Sequence, residues 1–439
     1  MQDDKTIVIV GGGFAGTTLA RSLEPLLPAD WRLVLLSEES YTTFNPMLAE
    51  VVGAAVFPEH VIAPIRQMVR RTRFIMGKLT AVDQVRRTLE CTTLAGPVEI
   101  AWTHLVLAFG MRANLQIIPG MEEHALPLKL VGDAMYIRNR VLQRLACVEL
   151  TQDPQARRRI GHFVVIGGGF SGVEVAGALA DFIASARGYY PLIREDELAV
   201  TLLHQGECLL PEMPKALGEA ALKSLQSRGV QVKLKAAAAG IEADRVILTD
   251  GASLPSETVV CTIGTRPNML AGSLKLPLVR GRIATRADMS VEDCDGLWAL
   301  GDCAAVPNGR GGQVSPPTAQ FAVAQAQALA ANLMAAAAGQ PTRAFAYQSK
   351  GMMATTGHRK GVAEVYGLHF TGIVAWLLWR AAYLMKMPTP GRKLRIGLEW
   401  AWSAFFKVDI THLRFTRTCE AEAAAQPPAQ AEIAHKRAA

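Results

Sequence analysis

The chain has 439 residues, half of them apolar and 19% charged, the composition of an ordered globular protein long enough for two or three packed domains. Disorder of the chain as a whole is excluded. A formal charge of +7 suits nucleic acid, an anionic membrane surface or anionic cofactors, so the placement of the basic residues has to decide among them.

The chain opens with a short apolar run, "TIVIV" at 6–10, that goes straight into Gly11 and leaves no room for an export signal. A cytoplasmic location is expected. Helical periodicity over 14–24 and a second buried-strand pattern, "WRLVLL" at 31–36, complete a βαβ unit. "LVLAFG" at 105–110 reads as another strand ending at a glycine, and 128–148 as a helix leading to a second unit. That unit repeats the plan with a strand at 162–166, a helix at 170–186 and a strand at 198–203. Short strands are predicted at 229–234, 244–248 and 258–264, and "GLWALGDCA" at 296–304 adds one more, with a Gly-Asp turn. An Ala- and Gln-rich helix should span 317–338. Strand pieces follow Arg343, then an aromatic and basic segment at 370–418. The last twenty residues are low in complexity and are expected to be disordered.

Gly11, Gly13 and Gly16 stand at G-x-G-x-x-G spacing between a strand and a helix. The first glycine permits a tight turn, the second lets backbone approach a pyrophosphate, and the third lets helix and strand pack closely. Gly167, Gly169 and Gly172 repeat the pattern. An acid about twenty positions on should hold the ribose hydroxyls. Glu38 is the candidate in the first unit, whereas His204 stands where the second unit should have its acid, which leaves NADH against NADPH open. Glu174, where the first unit has Thr18, is either a carboxylate favoured by the helix macrodipole or one placed where two cofactors meet. Gly301-Asp302 can set a carboxylate against the hydroxyls of a ribityl chain, with the following helix aimed at a flavin. Seven cysteines (91, 147, 208, 261, 294, 303 and 419) form no C-x-x-C pair and no cluster with histidines, so neither a disulfide framework nor a metal site is expected.

The order of the two fingerprints, "LVLAFG", "GVEVAG", "TIGTRPN", "WALGDCA", "PPTAQFAVAQ" and "AWLLWRAAYLMKMP" resembles the type II NADH:quinone oxidoreductases, from residue 5 to about 418. The resemblance implies FAD on the first unit, NADH on the second, and a quinone arriving from the membrane side. It places cofactor-binding positions at Gly11, Gly13, Phe14, Ala15, Gly16, Glu38, Pro46 (in "FNPML"), Ala108, Gly110, Gly167, Gly169, Phe170, Ser171, Gly172, His204, Gly264, Gly301, Asp302 and Ala319. It makes Glu174, Gln320 and Gln325 the catalytic candidates, the two glutamines lining the quinone site. They differ by roughly 140° around a helix, so both can face one pocket only if it wraps the helix start. Ser37 stands where many relatives carry the ribose-binding acid.

The expected fold is α/β: two Rossmann-like dinucleotide-binding domains, the second inserted in the first, plus a C-terminal α+β membrane-associating segment. The expected bounds are 1–118 and 276–345 for FAD, 119–275 for NAD(P)H, 346–419 for the membrane-associating region and 420–439 for the tail. In 370–418, Trp376, Trp379, Trp400, Trp402, Phe405 and Phe406 interleave with Arg380, Lys386, Arg392, Lys393, Arg395 and Lys407. That mixture suits helices lying in an anionic lipid interface on the cytoplasmic face of the cell membrane, with a dimer interface or a core helix as the competing account. The apolar stretch at 370–385 is broken by Arg380 and is shorter than the roughly 20 residues of a spanning helix. Nucleic acid is not expected, because no stacking module accompanies the charge. A homodimer is compatible with the sequence. Disulfide reductases, sulfide:quinone oxidoreductases, ferredoxin reductase-like enzymes and a non-catalytic NAD(H)- or FAD-binding redox sensor are the rivals; the first two need cysteines that 37–60 and "YQSKGMMATTG" lack.

Overall fold

A computed structural model describes residues 5–309, 313–403 and 405–413. The first sheet has seven strands, in the order Leu297–Ala299, His104–Leu107, Lys5–Val10, Trp31–Ser37, Arg73–Asp83, Thr88–Thr93, Gly96–Ala101. The first five pair in parallel and the last two antiparallel. The parallel strands are continuous apolar runs because helices cover both faces: Ile7, Val8 and Ile9 are fully buried.

A second, wholly parallel sheet runs Ala125–Pro127, Thr258–Cys261, His162–Ile166, Ala199–Leu203, Gln231–Lys233. Its strands lie in sequence between His104–Leu107 and Leu297–Ala299, which are neighbours in the first sheet. The second unit is therefore inserted in the first. That insertion brings the Gly-Asp turn, reached only after residue 296, back beside the first glycine turn.

Three strands of the first sheet, Arg73–Asp83, Thr88–Thr93 and Gly96–Ala101, have no counterpart in the sequence reading. Their outer parts alternate between exposed and half-buried positions and carry Thr, Lys and Glu, so no apolar run announces them. The strand expected at 244–248 forms as Arg245–Leu248, but in a separate antiparallel sheet with Ala238–Ile241 and Ser253–Pro255.

After the long helix Ala319–Ala337, the C-terminal part is an antiparallel sheet (Gly351–Thr355, Gly361–Val365, Leu368–Thr371) followed by helices Gly372–Lys386 and Pro390–Trp402. This part docks on the helix Phe170–Arg187. Contact is close: a Cβ at Gly177 would lie 2.5 Å from the Thr356 carbonyl carbon. Trp376, Trp379 and Trp400 are buried here, and Trp379 and Trp400 share a core with Val173 and Phe182. For these three rings the structure gives the core-helix account weighed above. Trp402, Phe405 and Phe406 are the exposed ones. Among the described residues no helix is long and apolar enough to cross a membrane. The expected tail, 420–439, lies outside the described residues, as do 414–419.

Candidate functional site

The two glycine turns are built alike. Gly11 and Gly167 have φ of +122° and +118°, a region open to glycine, and a Cβ at Gly11 would come 2.3 Å from the Ala108 carbonyl oxygen. A Cβ at Gly16 would lie 1.9 Å from the Gly11 carbonyl oxygen, and one at Gly172 would lie 1.7 Å from that of Gly167. These four positions serve the polypeptide's own packing. Gly13 and Gly169 differ: each begins a helix with an ordinary φ, −80° and −78°, and a Cβ there would meet nothing within 4 Å. Neither helix start has a side-chain cap. Backbone amides at the positive end of a helix, facing open space, fit a pyrophosphate on each turn.

The surroundings of the first turn fit a flavin nucleotide. Gly301 has φ of +72°, and a Cβ there would come 3.0 Å from that of Ala15. Asp302 is half-buried, and burial raises its carboxyl above the ordinary value while Lys129 and Arg282 pull it back. No hydrogen bond or ion pair reaches its carboxylate among the described residues, which leaves it available to ligand hydroxyls. Ala319 opens the long helix, whose Thr318 side chain caps Phe321 N–H. Phe14 meets Phe44 edge-on at 5.5 Å, and Pro46 lies next along in the turn Asn45–Met47. Gly110 adopts φ of +65° with open space around its Cβ position.

Glu38 is ion-paired with Arg112 at 2.8 Å, while Ser37 is buried beneath the turn, its Oγ 2.4 Å from where a Gly12 Cβ would stand. In the second unit His204 takes the place of Ser37: its Nδ1 accepts the Gly168 N–H at 3.2 Å. Phe170 is half-buried and Ser171 exposed at the helix start, and Gly264, with φ of +75°, packs against Ile117.

Gln320 and Gln325 are not brought together. Gln325 is buried, and its Oε1 accepts the Gly301 N–H at 2.8 Å, so it holds the Gly-Asp turn. Gln320 faces the other way; its Oε1 accepts Tyr347 O–H and Lys350 N–H, both at 2.9 Å, and its Nε2 donates to the Gly351 carbonyl at 3.3 Å.

Glu174 keeps 7% of its surface and lies against the C-terminal part. Its Oε1 accepts the Thr355 N–H at 3.2 Å and the Trp379 indole N–H at 3.0 Å. Burial pushes the carboxyl up to about 8, the two hydrogen bonds oppose that shift, and nearby Glu50 adds to it. The helix Phe170–Arg187 has no acid in its first turn, where the macrodipole acts, so the position of Glu174 gives the macrodipole account little support. Thr355 and Glu50 have no place in the sequence reading, and Trp379 stands there only as one of the rings of the C-terminal segment. For the burial of Trp379 the signal is helical spacing, since Trp376, Trp379 and Tyr383 recur at i, i+3, i+7, the stripe of a core-facing helix.

The titration of Glu174 has a consequence for stability. Its carboxyl ionises near 4.5 when exposed and about 8 when folded, so its contribution is full below 4.5 and is lost as pH rises to about 8. Glu174→Gln is expected to match the wild type in urea unfolding at about pH 4 and to exceed it by on the order of 5 kcal/mol at about pH 9. Parallel curves at both pH values would deny the shift.

Two turns of one design, one on each of two sheets, are the arrangement of a protein that brings two dinucleotides together. Residues 5–326 match the family described as pyridine nucleotide-disulphide oxidoreductase, and the chain belongs to it. The chain is similar to internal alternative NAD(P)H-ubiquinone oxidoreductase A1, mitochondrial, of Solanum tuberosum, 28% identical over 93% of this chain and 88% of that one. It is similar to type II NADH:quinone oxidoreductase Ndh of Mycobacterium tuberculosis, 27% identical over 91% and 88%. Among solved structures, NDH2 from Plasmodium falciparum in complex with NADH has a TM-score of 0.86 over 93% of this chain and 100% of that chain; at 16% identity this shows a common fold. The six described cysteines are all free, and 37–60 contains no cysteine.

Proposed function

We propose that the chain is a type II NADH:quinone oxidoreductase, with FAD on the first glycine turn and NADH on the second. The observation that carries this reading is the open space at Gly13 and Gly169, glycines for which the fold itself has no use. FAD held at Gly11–Gly16 and Asp302 would supply the redox chemistry that links the hydride of NADH to the two-electron reduction of a quinone. The chain's own residues position and protect. The two helix starts bind the pyrophosphates, Asp302 orients the ribityl hydroxyls, and Gln325 holds the turn that carries Asp302. Glu174 holds a proton for the quinone oxygens, and its ordinary range is shifted toward the working pH of a general acid. Gln320 fixes the segment Tyr347–Gly351 that borders the quinone approach. Residues 1–118 and 276–345 form the FAD part, 119–275 the NADH part, and 346–419 the part that meets lipid.

The decisive experiment is stopped-flow spectroscopy of the yellow protein. NADH is expected to bleach the flavin and a soluble quinone to restore its colour; a colourless protein, or flavin that NADH leaves oxidised, would end the reading.

Lipid contact on the cytoplasmic face belongs to the same proposal. Ile373, Val374 and Leu377 on one helix, and Leu394, Leu398 and Trp402 on the next, are half or more exposed. Leu394, Leu398 and Trp402 recur at i, i+4, i+8 on one face. Leu377→Asp combined with Trp402→Asp is expected to move the protein from pelleted anionic vesicles to the supernatant. Retention in the pellet sinks lipid contact, and a halved mass by light scattering would assign the same face to a second copy. Point changes are preferred to truncation after Met387, which would also remove the core ring Trp400.

A further inference from the structure

The hydrogen bonds on Glu174 are lopsided. Both donors, Thr355 N–H and Trp379 Nε1–H, fall on Oε1, and among the described residues Oε2 accepts none. A carboxyl group held this way carries its proton on the other oxygen, because an O–H at Oε1 would point at two N–H groups. Trp379 has little freedom to drift. It is 1% exposed, its ring lies 4.7 Å from Tyr383 and 6.4 Å from Trp400, and both neighbours are themselves packed. Tyr383 meets Phe44 edge-on at 5.8 Å, and Phe44 meets Phe14 of the first glycine turn. A line of touching rings thus ties the indole to the flavin-side turn.

We propose that Trp379 is a positioning residue for proton transfer: its indole N–H pins Oε1 of Glu174, so that Oε2 alone takes and gives the proton that quinone reduction requires. This rests on the NADH:quinone reading above. In that reaction NADH, one proton from the medium and a quinone yield NAD⁺ and a quinol. The nicotinamide supplies two electrons and one proton. The other proton leaves Glu174 Oε2 for a quinol oxygen, and Oε2 regains it from water. The titratable groups facing Glu174 are Glu50, on the helix Leu48–Val52, and Tyr383, on the helix of Trp379. Arg380 and Asp181 act on Glu50 in turn. None of these four donates a hydrogen bond to Glu174.

Trp379→Phe keeps a packed ring and removes the donor. Steady-state rates of the holoenzyme with NADH and a soluble quinone, taken across pH, are expected to show the Glu174 limb moved upward by about one unit, because the ionised carboxylate loses one of its two donors. Glu174→Gln is expected to lose the limb. The flavin spectrum and its bleaching by NADH, recorded alongside, separate a proton-transfer effect from lost cofactor. A limb lost in Glu174→Gln but unmoved in Trp379→Phe overturns the positioning role, whereas a limb that survives in Glu174→Gln overturns the underlying reading of Glu174. A second measurement needs no change at Trp379. In protein labelled with 5-fluorotryptophan, one of the signals from the seven tryptophans is expected to titrate with the limb and to stop doing so in Glu174→Gln. If no signal titrates in the wild type, the indole does not report on the carboxyl, and the proposal fails.

Discussion

Gly169→Val is expected to give a yellow protein that NADH no longer bleaches, and Gly13→Val a folded but colourless one. Both residues have backbone angles that valine adopts, and both face empty space where a side chain would grow. The fold therefore tolerates the change, while the branched side chain fills the place where a phosphate meets the helix amides. The kcat/KM for NADH of Gly169→Val should fall about 100-fold or more, since displacement of a bound reactant by even an ångström costs that much. Flavin content and melting temperature should stay at wild-type values. Gly172→Ala provides the contrast. Its added carbon would stand 1.7 Å from a backbone oxygen, so it is expected to lower stability and NADH binding together. If Gly169→Val were colourless and Gly13→Val yellow, the two nucleotides would have to exchange places. If both were yellow and active, neither turn would hold a dinucleotide.

The βαβ units were legible because a buried parallel strand is an unbroken apolar run and a glycine turn is a fixed spacing. The strand His162–Ile166 and the start of the helix at Phe170 fall where those two signals put them. The hairpin strands from Arg73 to Ala101 carry neither signal, since their outer ends leave the core and need no apolar run. The C-terminal rings were only partly legible for a different reason: composition counts tryptophans, but only helical phase sorts them. Trp376 and Trp379 fall on the buried stripe of the helix Gly372–Lys386, and on the next helix Trp400 is buried while Trp402 is exposed. The site divides in the same way. The glycines follow from spacing, because their role is local to one turn. The partners of Glu174 come from residues 181 and 205 positions away, and no spacing rule reaches that far. Gln325 shows the limit from the other side: the resemblance placed it at the quinone site, and no spacing announced that its amide oxygen accepts the backbone N–H of Gly301.

Arg380→Ala is expected to lower stability by about 3–5 kcal/mol, the usual cost of leaving a buried charge without its partner. The guanidinium lies between two indoles, 3.8 Å from the Trp376 ring centre and 4.5 Å from that of Trp400, with its Nη2 3.8 Å from Glu50 Oε2. Glu50 also accepts the Trp400 indole N–H at 3.0 Å. Arg380 and Glu50 each leave only 11% of their side chains exposed, and burial lowers the guanidinium to about 10, which keeps it charged at neutral pH. The N–O separation is long for a hydrogen bond, so the weight of the pair lies in neutralised charge and in the two stacked rings. Arg380→Lys keeps the charge and loses the planar stacking, and an intermediate loss is expected. The double change Arg380→Met with Glu50→Gln removes both charges and should recover much of the deficit. Burial already raises the Glu50 carboxyl, so the Arg380→Ala deficit should shrink as pH falls and Glu50 takes up a proton. Urea unfolding of the four proteins at two pH values measures all of this. A deficit below about 1 kcal/mol at neutral pH would mean that Glu50 is already neutral beside Arg380. Arg380 adjoins Trp379 in one helix, so a real deficit would also loosen the indole on Glu174, and stability and the pH limb of turnover should then move together.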